Sequence, residues 1–229
     1  GDVFTDHYEW LRDKENAETI GYLEDENAYA DAQTSHLAGL RQEIFDEIKS
    51  RTQETDMSVP LRHDRWWYYA RTEEGSQYAI RCRQLITDPT DWTPPTVEPG
   101  SAVPGEEILL NDNDEAEGHE FFSLGAFSVS DDGSFLAWSV DTEGDERYTI
   151  RVKNLGTGEV LDDEISGASA GVTWSSDGTY LFYTRVDDSW RPFQIWRHEI
   201  GAGQPDVLVF EEPDERFFVG IGRTHSEKY

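Results

Sequence analysis

The amino-acid sequence predicts a mainly β chain, a run of β-propeller blades preceded by a helical segment. The first sign is a repeat. Ser130-Asp-Asp-Gly-Ser-Phe-Leu-Ala-Trp138 returns as Ser175-Ser-Asp-Gly-Thr-Tyr-Leu-Phe-Tyr183, and Tyr148-Thr-Ile-Arg-Val-Lys-Asn-Leu155 returns as Phe193-Gln-Ile-Trp-Arg-His-Glu-Ile200, each at an offset of 45 residues. A period of about 45 residues in an all-β context marks a propeller blade, with one four-stranded sheet per repeat. The second sign is a change of hydrophobic period at Ser58, from helical spacing to alternation. The third is the placing of Asp132-Gly133 and Asp177-Gly178 at equivalent points of the two copies. Such a pair supplies the positive φ angles of a two-residue hairpin. Two unrelated hairpin pairs in a sandwich would need no fixed period.

Residues 1–56 form the helical segment. Ala17 to Ala32 is rich in Glu, Ala and Leu without Pro, and Ile20, Leu23 and Ala30 fall near one face. Thr34-Ser35 reads as the N-cap of a second helix, along which Leu37, Leu40, Ile44, Phe45 and Ile48 recur at helical spacing. Two helices of this length cover each other only in part, so the stripe is expected to dock on another domain.

Residues 57–229 are expected to hold the blades. Val59 to Arg62, Arg65 to Arg71 and Gln77 to Arg83 read as strands A, B and C of the first, with Thr72 to Ser76 as the turn before C. Thr87 to Gly105 carries five of the nine prolines and interrupts the blade before Glu107 to Leu110 closes it as strand D. The second blade runs Ala126 to Ser130, Ser134 to Val140, Arg147 to Lys153, then a short outer strand from Val160-Leu161. The third runs Gly171 to Ser175, Thr179 to Arg185, Phe193 to Glu199 and Val207 to Phe210. Arg216 to Arg223 reads as strand A of a fourth, so about three blades and the start of another are present. Propellers close as rings of roughly four to eight blades, and the expectation is the front part of a longer polypeptide.

Asp and Glu number 48 against 19 Lys and Arg, a formal net charge of −29 over 229 residues. That charge argues against nucleic acid and anionic membrane surfaces as partners and favours basic peptides. An acidic, Lys-poor surface also keeps a protein hydrated; a salt-rich habitat and genome composition both produce that bias. Cys82 is the sole cysteine, so no intrachain disulfide forms. No apolar run reaches the ~18 residues of a membrane span, and no secretory signal pattern opens the chain. The expected location is cytoplasmic.

Asp6-His-Tyr-Glu-Trp-Leu-Arg-Asp13, Tyr22-Leu-Glu-Asp-Glu-Asn-Ala-Tyr29 and Trp66-Trp-Tyr-Tyr69 resemble the start of the prolyl oligopeptidase family of serine peptidases. Glu117 to Ala126, Asp141 to Tyr148, Trp190-Arg-Pro192 with Trp196-Arg-His198, and Gly222 to Tyr229 are similar to its oligopeptidase B branch. The resemblance spans the chain and fits least clearly at Thr87 to Gly105. It implies a partial seven-bladed propeller whose N-terminal helices belong with an α/β-hydrolase domain carrying a Ser, Asp, His triad. That domain and its triad lie in the C-terminal part, so the resemblance places no catalytic residue in this chain. The implied activity is hydrolysis of short peptides after Arg or Lys, with this part non-catalytic and gating access. Cleavage after Pro, as in a prolyl endopeptidase, and a propeller used purely as a binding scaffold are the alternatives.

Gly167-Ala-Ser169-Ala-Gly171 matches the nucleophile elbow, but strand A and a turn follow where a helix is required, so Ser169 is expected in an inter-blade connection. The six histidines are scattered without metal-ligand spacing. Asn111-Asp-Asn-Asp-Glu115 lacks the Gly and terminal Glu of a calcium loop and reads as a solvated acidic loop. No cofactor or metal is expected. Strand order places the B–C loops Thr142 to Arg147 and Asp187 to Pro192 on one face with Ser166 to Ala170, opposite the Asp-Gly turns. His119, Glu120, Trp190 and Arg191 are the candidate contacts with a hydrolase domain or a peptide; Arg191 is equally suited to pair with nearby carboxylates.

Overall fold

The structure, a computed structural model, describes residues 3–96, 98, 103–224 and 226. It comprises two compact units, residues 1–53 and 54–229.

In the first unit, helix α1 spans Ala17–Thr34, and the Asn16 side chain caps it by accepting from the Glu18 N–H at 2.9 Å. The preceding 3-10 turn Glu9–Arg12 folds back on α1: Trp10 meets Tyr22 edge to face, and buried Thr19 donates its hydroxyl to the Trp10 carbonyl. The second helix begins later than its sequence signal. Ser35–Leu37 is another 3-10 turn, and α2 spans Ala38–Arg51 with Leu37 at its cap position. The hydroxyls of Thr34 and Ser35 turn backward, donating to the carbonyls of Ala30 and Ala32, so neither caps α2. Leu40, Ile44, Phe45 and Ile48 are 49–62% exposed along α2.

The second unit contains three antiparallel sheets in chain order, the blades of the repeat. Blade 1 consists of β1 (Asp56–Met57), β2 (Leu61–His63), β3 (Trp66–Thr72), β4 (Ile80–Leu85) and β5 (Glu106–Asn111). Both β1 and β2 pair with β3, so strand A is one strand broken around Pro60, which has no N–H to give the ladder. Strand C starts at Ile80, three residues after its predicted start, because the turn after β3 extends through Ser76 and the Tyr78 N–H bonds the Asn113 side chain instead. The insertion before β5 is anchored at both ends. The Arg62 guanidinium lies over Trp92 and donates to the carbonyls of Pro89 and Asp91, while Val103 packs with Tyr69, Ile80 and Cys82.

Asn111 to Glu115 is not the solvated loop expected. It caps and enters a short helix, α3 (Asp112–Ala116), whose Asp112 is buried against Arg81 and whose Glu115 accepts from Trp138 Nε1 and Arg151. Asn and Asp at a strand exit can cap a helix as readily as they make a loop.

Blade 2 comprises β6 (Ser123–Val129), β7 (Phe135–Asp141), β8 (Tyr148–Asn154) and β9 (Val160–Ala168); blade 3 comprises β10 (Val172–Trp174), β11 (Tyr180–Val186), β12 (Pro192–Glu199) and β13 (Val207–Glu211). The outer strand β9 is nine residues long, not the short strand expected, and keeps its pairing with β8 through two register irregularities. The core lies between blades. Leu136, Trp138 and Val140 of β7 pack toward Leu109, Leu110 and Phe122, whereas Ala137 joins Ile150, Val152, Trp174, Leu181 and Tyr183 on the other side. Each face of β7 therefore meets a neighbouring blade, which is why its residues are buried at both parities.

The Asp-Gly turns differ from the two-residue hairpin expected. Only Gly133 and Gly178 have positive φ, 73° and 69°; the aspartates act through their carboxylates. Asp132 accepts from Ser130 Oγ and the Ser134 N–H, and Ser130 Oγ accepts from the Phe135 N–H. Asp177, Ser175, Thr179 and Tyr180 repeat each of these bonds. The expected fourth strand A, Arg216 to Arg223, joins no ladder among the described residues. Its Phe217 and Val219 N–H groups bond the Asp214 and Pro192 carbonyls instead, both at 3.0 Å.

Candidate functional site

The candidate site is the end of the blades where the B–C loops and inter-blade connections emerge. In blade 2 the loop is shaped by Asp141 at the end of β7. Its carboxylate is 2% exposed and accepts from the N–H groups of Glu143, Gly144 and Glu146 at 2.8–2.9 Å. Burial pushes this carboxyl up, but the backbone donors outweigh it and hold the group below the usual carboxylate range. In blade 3, Asp187 accepts from the N–H groups of Ser189 and Arg191. Those bonds and the Arg191 side chain hold it below the usual range too.

Trp190 and Arg191, adjacent in sequence, take different places. Trp190 is 44% exposed with φ 59°, and its indole N–H bonds the Asp145 carbonyl in the preceding blade. Arg147 stacks on the same indole, 4.8 Å from its centroid. Arg191 is buried. It donates Nε to Asp187 at 2.9 Å and Nη1 to the carbonyls of Glu212, Asp214 and Phe217 at 3.1–3.3 Å. It therefore fastens the segment after β13 beneath the loop that displays Trp190.

His119 and Glu120 are exposed in the connection from blade 1 to blade 2, and the His119 N–H bonds the Ala116 carbonyl. One residue on, Phe121 is 45% exposed and lies against Gly144, where a Cβ would sit 3.5 Å from the ring. His119 and Glu120 thus leave a connection seated on one B–C loop, and Trp190 bridges that loop to the next. Asp141 and Asp187 are the site-shaping residues that sequence reasoning missed. The available signal was an Asp at the exit of strand B in each repeat: Asp141 ends β7 and Asp187 follows β11.

Ser169 sits in the connection from β9 to β10, bonded through its N–H to the Thr184 carbonyl and through its hydroxyl to Thr184 Oγ1. No helix follows it, so the elbow geometry is missing. A cavity of about 510 Å³ lies at the opposite end of blade 1, where Trp67, Leu85 and Ile86 meet Asp88, Asp91 and Glu107. Among the described residues no cluster of His, Cys, Asp and Glu is arranged to hold a metal, and no helix is long and apolar enough to cross a membrane.

The model of the prolyl oligopeptidase N-terminal β-propeller domain matches residues 1–229. The chain belongs to this family. Dipeptidyl aminopeptidase BI of Pseudoxanthomonas mexicana is 38% identical over 98% of the chain, and Protease 2 of Moraxella lacunata is 34% identical over all of it. The chain spans about a third of either relative, 32% of each. Among solved structures, oligopeptidase B of Trypanosoma brucei with covalently bound antipain superposes with a TM-score of 0.84 at 33% identity, over 97% of this chain and 30% of that one. Oligopeptidase B of Leishmania major gives 0.85 at 31%, over 95% and 30%. These similarities place the chain as the N-terminal propeller part of a prolyl oligopeptidase-family protein close to oligopeptidase B.

Proposed function

We propose that this chain is the non-catalytic, substrate-gating part of a serine oligopeptidase that hydrolyses short peptides after Arg or Lys. The observation that carries the reading is the similarity to oligopeptidase B along 95–97% of this chain, at 31–33% identity against 23% for the prolyl endopeptidase structure. In the complete enzyme a Ser activated by an oriented His would form the acyl-enzyme, and this chain would hold none of those groups. Its share is to bound the chamber and select what enters. A net charge of −29 favours cationic peptides by long-range attraction that weakens with salt.

Within this reading the hydrolase domain or a bound peptide meets the face carrying His119, Glu120 and Trp190, with Arg191 fixing the segment behind them. Topology supports that choice. The chain enters blade 1 at the same end, where Thr72 Oγ1 bonds the Glu54 carbonyl and the Glu74 N–H bonds Thr55 Oγ1. The apolar stripe of α2 would be covered by the hydrolase domain. A cytoplasmic location belongs to the same reading and is consistent with Cys82 being a free, buried thiol.

The test is hydrolysis by the intact protein of matched short peptides ending in Arg, Lys or Pro before the cleaved bond. Preference for Arg or Lys is expected; preference for Pro, or no turnover by a correctly folded protein, overturns the reading. The 38% identity to a dipeptidyl aminopeptidase favours a second reading, stepwise removal of dipeptides. Blocking the substrate N-terminus separates the two, since only dipeptide removal needs a free amine.

A further inference from the structure

His198, on β12 of blade 3, is a buried histidine that the peptidase reading does not use. Both ring nitrogens face carboxylates: Nδ1 lies 2.7 Å from Asp206 Oδ1 and Nε2 lies 2.8 Å from Asp163 Oδ1. Asp206 precedes β13 in the same blade, but Asp163 stands on β9, the outer strand of blade 2. Each carboxylate has a second donor, Tyr183 Oη to Asp206 at 2.5 Å and the Gly201 N–H to Asp163 at 2.9 Å. Neither carboxylate is paired with a Lys or Arg among the described residues.

An ionised carboxylate only accepts, so two carboxylates on one ring require two N–H groups, and only the imidazolium has both. We propose that the junction between blades 2 and 3 is a proton-controlled latch: protonated His198 ties β9 to β12, and loss of the ring proton facing Asp163 releases that tie. The neutral ring would turn a lone pair toward a carboxylate, which opposes the contact it replaces.

The titratable groups meeting the ring are Asp163 from β9, Asp206 from the approach to β13 and, through Asp206, Tyr183 from β11. Burial alone would favour the neutral ring, but hydrogen bonds and attraction from Asp206 and Asp163 outweigh it and raise His198 above its ordinary value. Burial also pushes the Tyr183 phenol up, with Asp206 adding to it, so Tyr183 stays a donor through neutral pH. The sign is that of a raised folded-state value. The latch contributes fully below the ordinary histidine value of ~6.5 and is lost as pH rises through the higher folded value.

The test follows the His198 ring by nitrogen-edited NMR in the intact protein, together with hydrogen exchange of β9 amides referenced to those of β7. The expected result is a His198 titration above the ordinary value. Across it, β9 exchange should accelerate relative to β7, by about tenfold for each unit by which the titration is raised. His198→Gln, which keeps a neutral donor, should abolish the pH step, and Asp163→Asn should lower the His198 titration. If His198 titrates at or below the ordinary value, or β9 tracks β7 at every pH, the latch is refuted. Because the first measurement uses the unsubstituted protein, a variant that fails to fold does not protect the proposal.

Discussion

Trp190 donates its indole N–H to the carbonyl of Asp145 at 2.9 Å, and these two residues occupy the same position in consecutive repeats, 45 residues apart. The equivalence has a physical consequence. One B–C loop supplies a backbone acceptor where the next supplies an aromatic donor, so the repeat itself stitches neighbouring loops together. Replacing Trp190 by Phe keeps a ring for Arg147 and removes the bond; Ala removes both. We expect losses of about 1 kcal/mol and about 1–2 kcal/mol respectively, from a neutral hydrogen bond and an exposed cation–π contact. Urea unfolding of the two variants checks the order: equal losses would mean the Arg147 stacking contributes nothing, and no loss with Phe would mean the same of the indole N–H.

Gly125 lies in β6 where its neighbours crowd it from the side. A Cβ there would sit 2.5 Å from Tyr148 Cε1 and 2.7 Å from Ser139 Oγ. Its φ is ordinary, so the requirement is space rather than conformation. Since Ser139 Oγ is bonded to the Ala170 carbonyl at 2.6 Å, it cannot swing away without breaking an inter-blade contact. Gly125→Ala is expected to cost about 1–3 kcal/mol, the range for overpacking a filled site. A melting temperature unchanged within error would show that Tyr148 has room to move.

Asp141 gives a prediction in pH. Its folded value is depressed, so its contribution is complete above the ordinary carboxylate value of ~3.9 and disappears as pH falls through the lower folded value. Asp141→Asn should flatten the acid limb of the stability curve, while Asp141→Ala, which strands three backbone donors, should cost about 2–4 kcal/mol at neutral pH. Denaturant midpoints from pH 2 to 7 provide the comparison, and parallel curves for Asn and the parent would remove Asp141 from this role.

The blades were legible because burial between sheets forces a pattern that a repeat then doubles: Leu136 with Leu181 and Ile150 with Ile195 mark the same strands in two copies. Turn chemistry was legible only by type. Asp-Gly announced a turn, but whether Asp132 supplies a backbone angle or a carboxylate depends on Ser130, whose hydroxyl competes for the Phe135 N–H. The acidic run 111–115 was misread for a related reason, since its fate rests on Arg81, Trp138 and Arg151, partners distant in sequence. At the candidate face the sequence marked the loop Asp187 to Pro192 without separating Trp190 from Arg191. Adjacent residues face opposite ways, and only the chain after β13 explains why one is buried.

That division makes Arg191 the sharper functional probe. Its guanidinium holds three carbonyls of the segment 212–217 as well as Asp187, a fork that an ammonium cannot reproduce. Arg191→Lys should therefore loosen this segment, with faster hydrogen exchange at the Phe217 and Val219 amides and a loss of about 1–3 kcal/mol. In the intact protein the same substitution separates two roles. If Arg191 only fastens the segment, peptides of differing charge should lose kcat/KM by a common factor. If the guanidinium itself meets substrate, the loss should depend on the charge of the peptide, because the fastening contacts are blind to it. A charge-dependent loss with unchanged exchange at Phe217 would assign Arg191 to substrate; a common loss with faster exchange would assign it to the loop.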